Sequence, residues 1–372
     1  MKRNAIGPAS LRDPHLWRAI RPFAPVLAML LLLVTVGGLT QPIFLSLNNL
    51  QNLLVSQSVV WVVALAMTFV IISAGLDLSV GAIATLAGIV LVKLIGDGVP
   101  AWLAILFAII AGTAVGAVAN GLLVGRAKLS VFVVTLASMT AITGFIQLWT
   151  GSSSAFINDS LVLSLANGRM LGVAVPIWIM TITLVLALYV QRYTYFGRDV
   201  YAVGGSAAAA ELSGIRTSRT LIAVYAIAGG AAAIGGVVGS AITGAATAQV
   251  DNTLALQAIA AVLLGGTLLT GGAGSVIGTV LGVLFIGGLA NYLSISGVPG
   301  AWQQVLTGVI LVIAVGGGRL RRSRFVKRAD RDAGSSALPN RQSKSVVGAD
   351  DHVDRLDVPG DVAGLSSGSG PG

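Results

Sequence analysis

The sequence of 372 residues has no cysteine, two histidines and a single glutamate, so the side chains of most catalytic and metal sites are scarce. The absence of cysteine excludes disulfides, thiolate catalysis and cysteine-based metal sites. His15 and His352 lie in the polar terminal segments, which excludes a histidine cluster among the apolar segments. Neither an HExxH zinc motif nor a GxxxxGK[ST] phosphate-binding loop occurs. We therefore predict a protein that is not an enzyme and that has no catalytic residue, bound metal or cofactor of its own.

Charged residues are also few. They make up 10% of the chain, against about 25% in soluble domains, while 55% of the residues are hydrophobic. This composition leaves too little polar surface to cover a water-soluble fold. Several apolar runs approach the roughly 20 residues that a helix needs to cross a bilayer. The predicted fold class is therefore an all-α polytopic membrane protein.

Ten apolar runs are candidate membrane spans. They occupy residues 23–39, 53–72, 82–95, 101–124, 131–150, 171–190, 221–242, 255–269, 276–290 and 305–316. Lys and Arg gather in the cytoplasmic loops of membrane proteins. If the chain starts inside and crosses ten times, only Lys93 and Arg169 of the 23 basic residues lie outside. We therefore predict ten transmembrane helices with both termini in the cytoplasm, and we attribute the net charge of +9 to the cytoplasmic face rather than to nucleic-acid binding.

These spans divide the chain into four parts. Residues 1–21 form a cytoplasmic N-terminal segment and residues 22–318 the transmembrane domain, with a long cytoplasmic loop at 192–220 inside it. Residues 319–372 begin with a basic stretch and continue as a tail rich in Gly, Ser and Asp. Such a composition buries too little apolar surface to offset the entropy of ordering, so the tail is predicted to be disordered.

The chain contains 48 glycines, many of them inside the apolar runs. Gly112/Gly116, Gly235/Gly239 and Gly278/Gly282 are GxxxG pairs, which let helix backbones approach closely in lipid. We therefore predict a tightly packed, Gly-rich helix bundle of the kind that transporters have.

Residues 74–81, AGLDLSVG, carry the only charged side chain between Arg21 and Lys93. A carboxylate at membrane depth is costly and usually faces a protein interior or a water-filled cavity. Two interpretations stay open. Asp77 caps a helix by accepting hydrogen bonds from the amides of Ser79 or Val80, or it lines the path of a polar solute. Other polar residues of the apolar runs are also predicted to line a path or to cap a helix, namely Ser79, Asn120, Gln147, Gln257 and Asn291, with Thr135, Ser138 and Thr143 as further candidates.

The loop 192–220 is the longest internal one. Gly204 and Gly205 are predicted to form a sharp turn, after which Ser206 caps a short helix over 207–212 that ends before Gly214. A short capped helix between two spans is a suitable docking element for a soluble partner. We expect Glu211 to be exposed to that partner.

Four ordered motifs make the chain recognisable: GLDLSVGAIATLAG, AVGGSAAAAELSGI, AIAAVLLGGTLLTGGAGSVIGTVLG and WQQVLTGVILVIAV. From about residue 45 to 317 the sequence resembles the permeases of monosaccharide ATP-binding cassette (ABC) importers, the ribose/xylose type. It departs from the family pattern at Ser206–Ala208, at Glu211, and at Ala255 and Gln257, where acidic, amide or basic residues are more usual.

The resemblance implies a permease subunit in the bacterial cytoplasmic membrane that translocates a monosaccharide of the ribose, xylose or galactose class by alternating access. It implies a second permease protomer, the same or a sister chain, two cytoplasmic ATPase subunits that use ATP and Mg²⁺, and an extracytoplasmic sugar-binding protein. It also implies that the loop couples to the ATPase through Gly204, Gly205, Ser206, Glu211, Leu212, Gly214 and Ile215. The alternative is a secondary transporter of a small polar solute driven by ions or protons. Proton relays need pairs of buried Asp, Glu or His side chains, and we expect only Asp77 to be available for one.

Overall fold

The computed structural model describes residues 23–310 and 312–313. The predicted N-terminal segment 1–21 and the predicted tail 319–372 lie outside the described residues, as does part of the last predicted span.

Helices make up most of the described chain. They are α1 (Ala24–Thr40), α2 (Leu47–Ile72), α3 (Val80–Gly96), α4 (Ala101–Gly125), α5 (Val131–Thr150), α6 (Ser160–Asn167), α7 (Val175–Tyr193), α8 (Tyr195–Gly205), α9 (Ala207–Leu212), α10 (Thr217–Thr243), α11 (Thr253–Leu264) and α12 (Val276–Ile295). A 3₁₀ turn at Pro42–Leu45 separates α1 from α2, and α4 is π-helical over Gly116–Leu122. Residues 300–310 and 312–313 are also helical.

Four two-residue strands form two small antiparallel pairs. Strand β1 (Ala155–Phe156) pairs with β4 (Ala245–Ala246), and β2 (Arg169–Met170) pairs with β3 (Val173–Ala174). The first pair joins the segment after α5 to the segment after α10. The second pair occupies residues that the sequence assigned to the start of a span, so α7 begins at Val175 rather than near 171.

Six helices are long and apolar enough to cross a membrane: α2, α4, α5, α7, α10 and α12. Helices α1, α3 and α11 are apolar but shorter, with 17, 17 and 12 residues. All nine coincide with predicted spans. The prediction of an all-α polytopic membrane protein is therefore confirmed.

Helix α10 lies at the centre of the bundle and packs against α2, α3 and α4. Glycines make its contact with α4 possible, since a Cβ on Gly116 would overlap the carbonyl oxygen of Tyr225 and a Cβ on Gly229 would overlap that of Gly112. Helices α11 and α12 meet in the same way where Gly278 lies against Gly265. The glycine pairs in the sequence therefore mark helix–helix contacts, as predicted.

Two non-helical breaks interrupt the bundle. The first break, residues 73–79, joins α2 to α3, and the second break, residues 244–252, joins α10 to α11. Both breaks precede a short helix. Non-helical backbone at membrane depth is tolerated where it is buried in protein or lines a water-filled cavity, so these two segments are the first places to look for a site.

Candidate functional site

Asp77 in the first break is fully buried, at 0% exposure. Its Oδ1 accepts hydrogen bonds from the backbone amide of Ser79 at 2.9 Å and from the Ser79 hydroxyl at 2.6 Å. The hydrogen bond from the Ser79 amide is the one that the capping interpretation predicts. Ser79 occupies the N-cap position of α3, but its side chain makes no capping bond to the helix, because its hydroxyl donates to Asp77.

Asn120 completes this cluster from across the bundle. Its amide nitrogen donates to the Ser79 hydroxyl at 2.8 Å and lies 3.4 Å from both carboxylate oxygens of Asp77. Asn120 is fully buried and belongs to the π-helical segment of α4. A π-helical turn shifts the direction of the side chains that follow it, and here it brings an amide to the first break. The structure therefore unites three of the predicted path residues, Asp77, Ser79 and Asn120, in one buried hydrogen-bonded cluster.

Tyr225 of α10 holds the backbone of the first break from the other side. Its hydroxyl donates to the carbonyl oxygen of Leu76 at 3.3 Å, and the ring is fully buried. Gly75 leaves room for this contact, since a Cβ there would lie 2.8 Å from the Tyr225 hydroxyl. Tyr225 was not among the predicted site residues. Its only signal is a tyrosine inside an otherwise apolar and small-residue span.

The second break contains the same turn. Oδ1 of Asp251 accepts from the Thr253 amide at 2.9 Å and from the Thr253 hydroxyl at 2.6 Å, which are the two distances found for Asp77 and Ser79. Unlike Asp77, Asp251 is exposed. Asp251 was not among the predicted site residues, although it shares with Asp77 the pattern Asp-x-Ser/Thr before an apolar helix.

The cytoplasmic loop of the sequence analysis forms α8, α9 and the start of α10. As predicted, α9 spans Ala207–Leu212, and the Ser206 hydroxyl caps it by accepting from the Ala209 amide at 3.2 Å. Gly214 follows with φ +85°. The predicted sharp turn at Gly204 and Gly205 is wrong, because both residues belong to α8 and the chain turns at Ser206.

Gly204 instead allows close packing. A Cβ on it would overlap the carbonyl oxygen of Ile72, the last residue of α2, and would lie 2.8 Å from the amide of Gly272. That amide donates to the same Ile72 oxygen at 2.8 Å. A Cβ on Gly205 meets nothing within 4 Å. The end of α8 is thus pressed against the residue directly before the first break.

A polar network also ties α8 to α7 and α12. The Gln191 side chain donates to the Tyr201 hydroxyl at 2.6 Å and accepts from the Val276 amide at 3.3 Å. The Tyr201 hydroxyl donates to the carbonyl oxygen of Gly274 at 2.8 Å. Burial raises the pKa of Tyr201 above its ordinary value, so the hydroxyl stays protonated as a donor.

Glu211 is exposed but also bonded within the chain. It accepts from the Thr217 hydroxyl at 2.6 Å, and Lys128 approaches it to 3.9 Å. Leu212 beside it is 92% exposed, and Ile215 is half-buried. Leu212 is therefore the apolar side chain that α9 presents to its surroundings, while Glu211 fixes α9 to the start of α10.

The remaining predicted path residues do not join the buried cluster. Asn291 of α12 exchanges two hydrogen bonds with Asn49 of α2, at 2.9 and 3.1 Å, and so links two helices. Gln147 is exposed on α5, and Gln257 is half-buried on α11. Thr135 and Thr143 donate to backbone oxygens one turn earlier in α5.

Comparison with known proteins covers most of the chain. Residues 49–315 match the family described as the branched-chain amino acid transport system permease component. The ribose import permease protein RbsC of Escherichia coli K12 is 38% identical over 293 residues, which are 78% of this chain and 91% of that protein. RbsC of Bacillus subtilis is 36% identical over 81% of this chain and 94% of its own.

The L-arabinose ABC transporter permease protein AraH of Azospirillum brasilense is 34% identical over 84% of this chain and 91% of its own. No solved structure matches the chain. These relatives are transporter permeases rather than enzymes, and they confirm the resemblance that the four sequence motifs predicted. The chain belongs to the family of transport-system permease components.

Proposed function

We propose that this chain is the membrane-spanning permease subunit of an ABC importer that carries a monosaccharide of the ribose, xylose or galactose class. The observation that carries the proposal is the similarity to ribose and arabinose permeases, which extends over 77–84% of this chain and about nine-tenths of each relative. A shared fragment would support only a shared fold. Similarity over nearly the full membrane body supports a shared role.

The proposed topology has ten crossings with both termini in the cytoplasm. Nine apolar helices supply nine crossings, and the helical residues 300–310 and 312–313 begin the tenth. With this topology α8 and α9 face the cytoplasm, where the basic residues Arg192, Arg198, Arg216 and Arg219 are expected. The two strand pairs and α6 then face outward, toward the sugar-binding protein.

We assign α8 and α9 to coupling with two cytoplasmic ATPase subunits. Leu212 offers an exposed apolar contact, and α9 is short, capped and fixed at its end by the Glu211–Thr217 hydrogen bond. A push on α9 reaches α8 at Ser206, and Gly204 passes it to Ile72 by direct backbone contact. ATP and Mg²⁺ act in the partner subunits, and in this chain the movement arrives at the first break.

The buried cluster at Asp77 then receives this movement and passes it to the helices bonded to it. Ser79, Asn120 and Tyr225 hold the break to α3, α4 and α10, so a displacement of Ile72 moves three helices together. Alternating access requires such concerted movement, with a partner protomer supplying the other wall of the path. Helix movements of this kind are the common repertoire of gated transport.

The ion-coupled alternative finds less support. Proton relays use chains of buried ionisable side chains. Within residues 23–310, Asp77 is the only carboxylate that is buried, and its neighbours are a serine, an asparagine and a tyrosine hydroxyl that points to a backbone oxygen. A single enclosed carboxylate suits a structural role better than a relay.

A second candidate substrate follows from the description of the family, which names branched-chain amino acids. Uptake in the source cells separates the two. Deleting the gene should abolish the ATP-dependent uptake of one labelled pentose or hexose and leave leucine uptake unchanged. Loss of leucine uptake with intact uptake of ribose, xylose, arabinose and galactose would reject the monosaccharide proposal.

A further inference from the structure

The second break lies deep inside the bundle, at the level where the long helices have their midpoints. Gly112 is the twelfth of the 25 residues of α4, a helix of full spanning length. A Cβ on Gly112 would lie 2.6 Å from the Cβ of Ala233 in α10 and 3.1 Å from Cγ2 of Ile83 in α3. These three residues therefore share one level near the middle of the membrane, and α3 begins close to it.

Asp251 lies at the same level, although the chain reaches it by returning from the far end of α10. A Cβ on Gly81 would overlap the carbonyl oxygen of Asp251, and Gly81 precedes Ile83 by two residues. Since a helix rises about 1.5 Å per residue, Asp251 lies within about one helical turn of mid-depth. Helix α10 ends at Thr243, about 15 Å beyond Ala233 by the same rise. The second break therefore re-enters the bundle before α11 starts.

The re-entrant stretch alternates between two environments. Thr247, Gln249 and Asp251 are exposed, whereas Ala248 is buried and Val250 is half-buried. The exposed residues form the polar side of a stretch that bends at Ala248 and Gln249, and the covered residues form its apolar side. The polar side continues into Asn252, which is exposed as well.

Exposing this polar side to lipid would be energetically costly. Oδ1 of Asp251 is engaged by Thr253, but among residues 23–310 its second oxygen has no hydrogen-bond partner, and neither does the Asn252 amide. An ionised or amide side chain at mid-depth without partners is expensive in hydrocarbon and is found facing water-filled cavities. Irregular backbone at that depth has the same requirement.

We propose that Thr247, Gln249, Asp251 and Asn252 form a solute-contact site that lines the aqueous translocation path at mid-depth. The occupant is a neutral polyhydroxylated molecule, which rests on the proposed monosaccharide function. The Asp251 carboxylate accepts from solute hydroxyls, and the two amides donate and accept. No Lys or Arg occurs between residues 220 and 318, so the stretch offers no cation to an amino-acid carboxylate.

The natural absence of cysteine makes a clean accessibility test possible. Asn252→Cys places a thiol on the proposed path, and Val185→Cys is its control, an apolar position that is 59% exposed near the middle of α7. Both variants are expressed as full-length chains in native membranes and treated with a charged, membrane-impermeant methanethiosulfonate. Gln249→Cys replaces Asn252→Cys if the latter does not accumulate.

The thiolate is the reacting form and exists only where water reaches, so Asn252→Cys should be modified about tenfold faster than Val185→Cys or more. Equal, slow modification of both thiols overturns the proposal. With whichever of labelled ribose, xylose, arabinose or galactose the unaltered chain transports, modification should also abolish the uptake that the Asn252→Cys variant retains. Full uptake after complete modification overturns the solute contact.

The same experiment separates this inference from the proposed function. If the Asn252→Cys thiol is modified fast while cells with the unaltered chain transport none of these sugars, the aqueous path is supported and its assignment to a sugar is overturned. Sugar uptake by cells whose Asn252→Cys thiol stays unmodified supports the proposed function and overturns the site.

Discussion

The two breaks of this bundle use one turn for opposite purposes. Asp77 and Asp251 each accept an amide and a hydroxyl hydrogen bond from the residue two positions on, with the same pair of distances. In the first break the carboxylate is enclosed and bonded to Asn120. In the second break Asp251 is exposed.

The difference shows that local sequence sets the turn, whereas the helices around it set the role. The first break is covered by α4 and α10, so its carboxylate stabilises the fold by satisfying buried donors. The second break follows a return of the chain into the bundle and keeps one polar side uncovered. A carboxylate before a short helix is therefore a structural residue or a candidate solute contact according to what packs on its far side.

Removing each carboxylate outright should separate the two roles most strongly. Asp77→Leu leaves the Ser79 amide and the Ser79 hydroxyl without their acceptor, and it leaves the Asn120 amide only the Ser79 hydroxyl. Stranded buried donors cost about 1–3 kcal/mol each, so we expect about 3 kcal/mol or more of lost stability and little folded protein. Asp251→Leu, whose carboxylate is exposed, should accumulate normally and lose uptake. Thermal unfolding in detergent measures the first effect, and equal unfolding temperatures for both variants would contradict the comparison.

The first break should also be the one that the cytoplasmic side controls. Gly204→Ala places a methyl group on the Ile72 carbonyl, while Gly205→Ala enters open space and serves as the matched control. We expect Gly204→Ala to lower uptake strongly and Gly205→Ala to preserve it. Uptake and ATP hydrolysis measured in the assembled transporter would show the loss of coupling as hydrolysis without transport. Equal uptake and equal ATP hydrolysis in the two variants would contradict the proposed transmission of movement from α8 to the first break.

Much of this arrangement was predictable from sequence because it depends on local composition. The apolar runs, the glycine pairs and the Ser206 cap each follow from a few neighbouring residues. The hydrogen bond that Asp77 accepts from the Ser79 amide follows from the spacing of these two residues. The short helix at 207–212 was found for the same reason.

The rest depends on packing that a single sequence does not display. Nothing local shows that Asn120, 43 positions after Asp77, meets it across the bundle. The double glycine was interpreted as a turn because glycine permits both turns and close approach, and only the position of Ile72 decides between them. Asp251 was passed over because a polar loop after a span is usually a surface loop, and its return to mid-depth is visible only through Gly81.

A conservative change tests the second break alone. In Asp251→Asn the Oδ1 acceptor for Thr253 remains, while the second carboxylate oxygen, Oδ2, is replaced by an amide nitrogen that donates. We expect unchanged thermal stability and weaker transport, with a higher KM for the sugar, because an acceptor facing solute hydroxyls is lost. A lower unfolding temperature with unchanged KM would make Asp251 a structural residue like Asp77.

The smallest effect is expected from the corresponding change in the first break. Asparagine caps nearly as well as aspartate, so Asp77→Asn keeps the bonds from Ser79. The new side-chain nitrogen at position 77 would face the Asn120 side-chain nitrogen. The Asn120 side-chain oxygen, however, is buried without a partner among the described residues. If the Asn120 side-chain amide rotates by 180°, this oxygen can accept a hydrogen bond from the new nitrogen. We expect a loss of about 1 kcal/mol or less in stability and near-normal uptake with unchanged KM. A large fall in uptake at full stability would instead give Asp77 a direct part in transport, and the two breaks would then share one role.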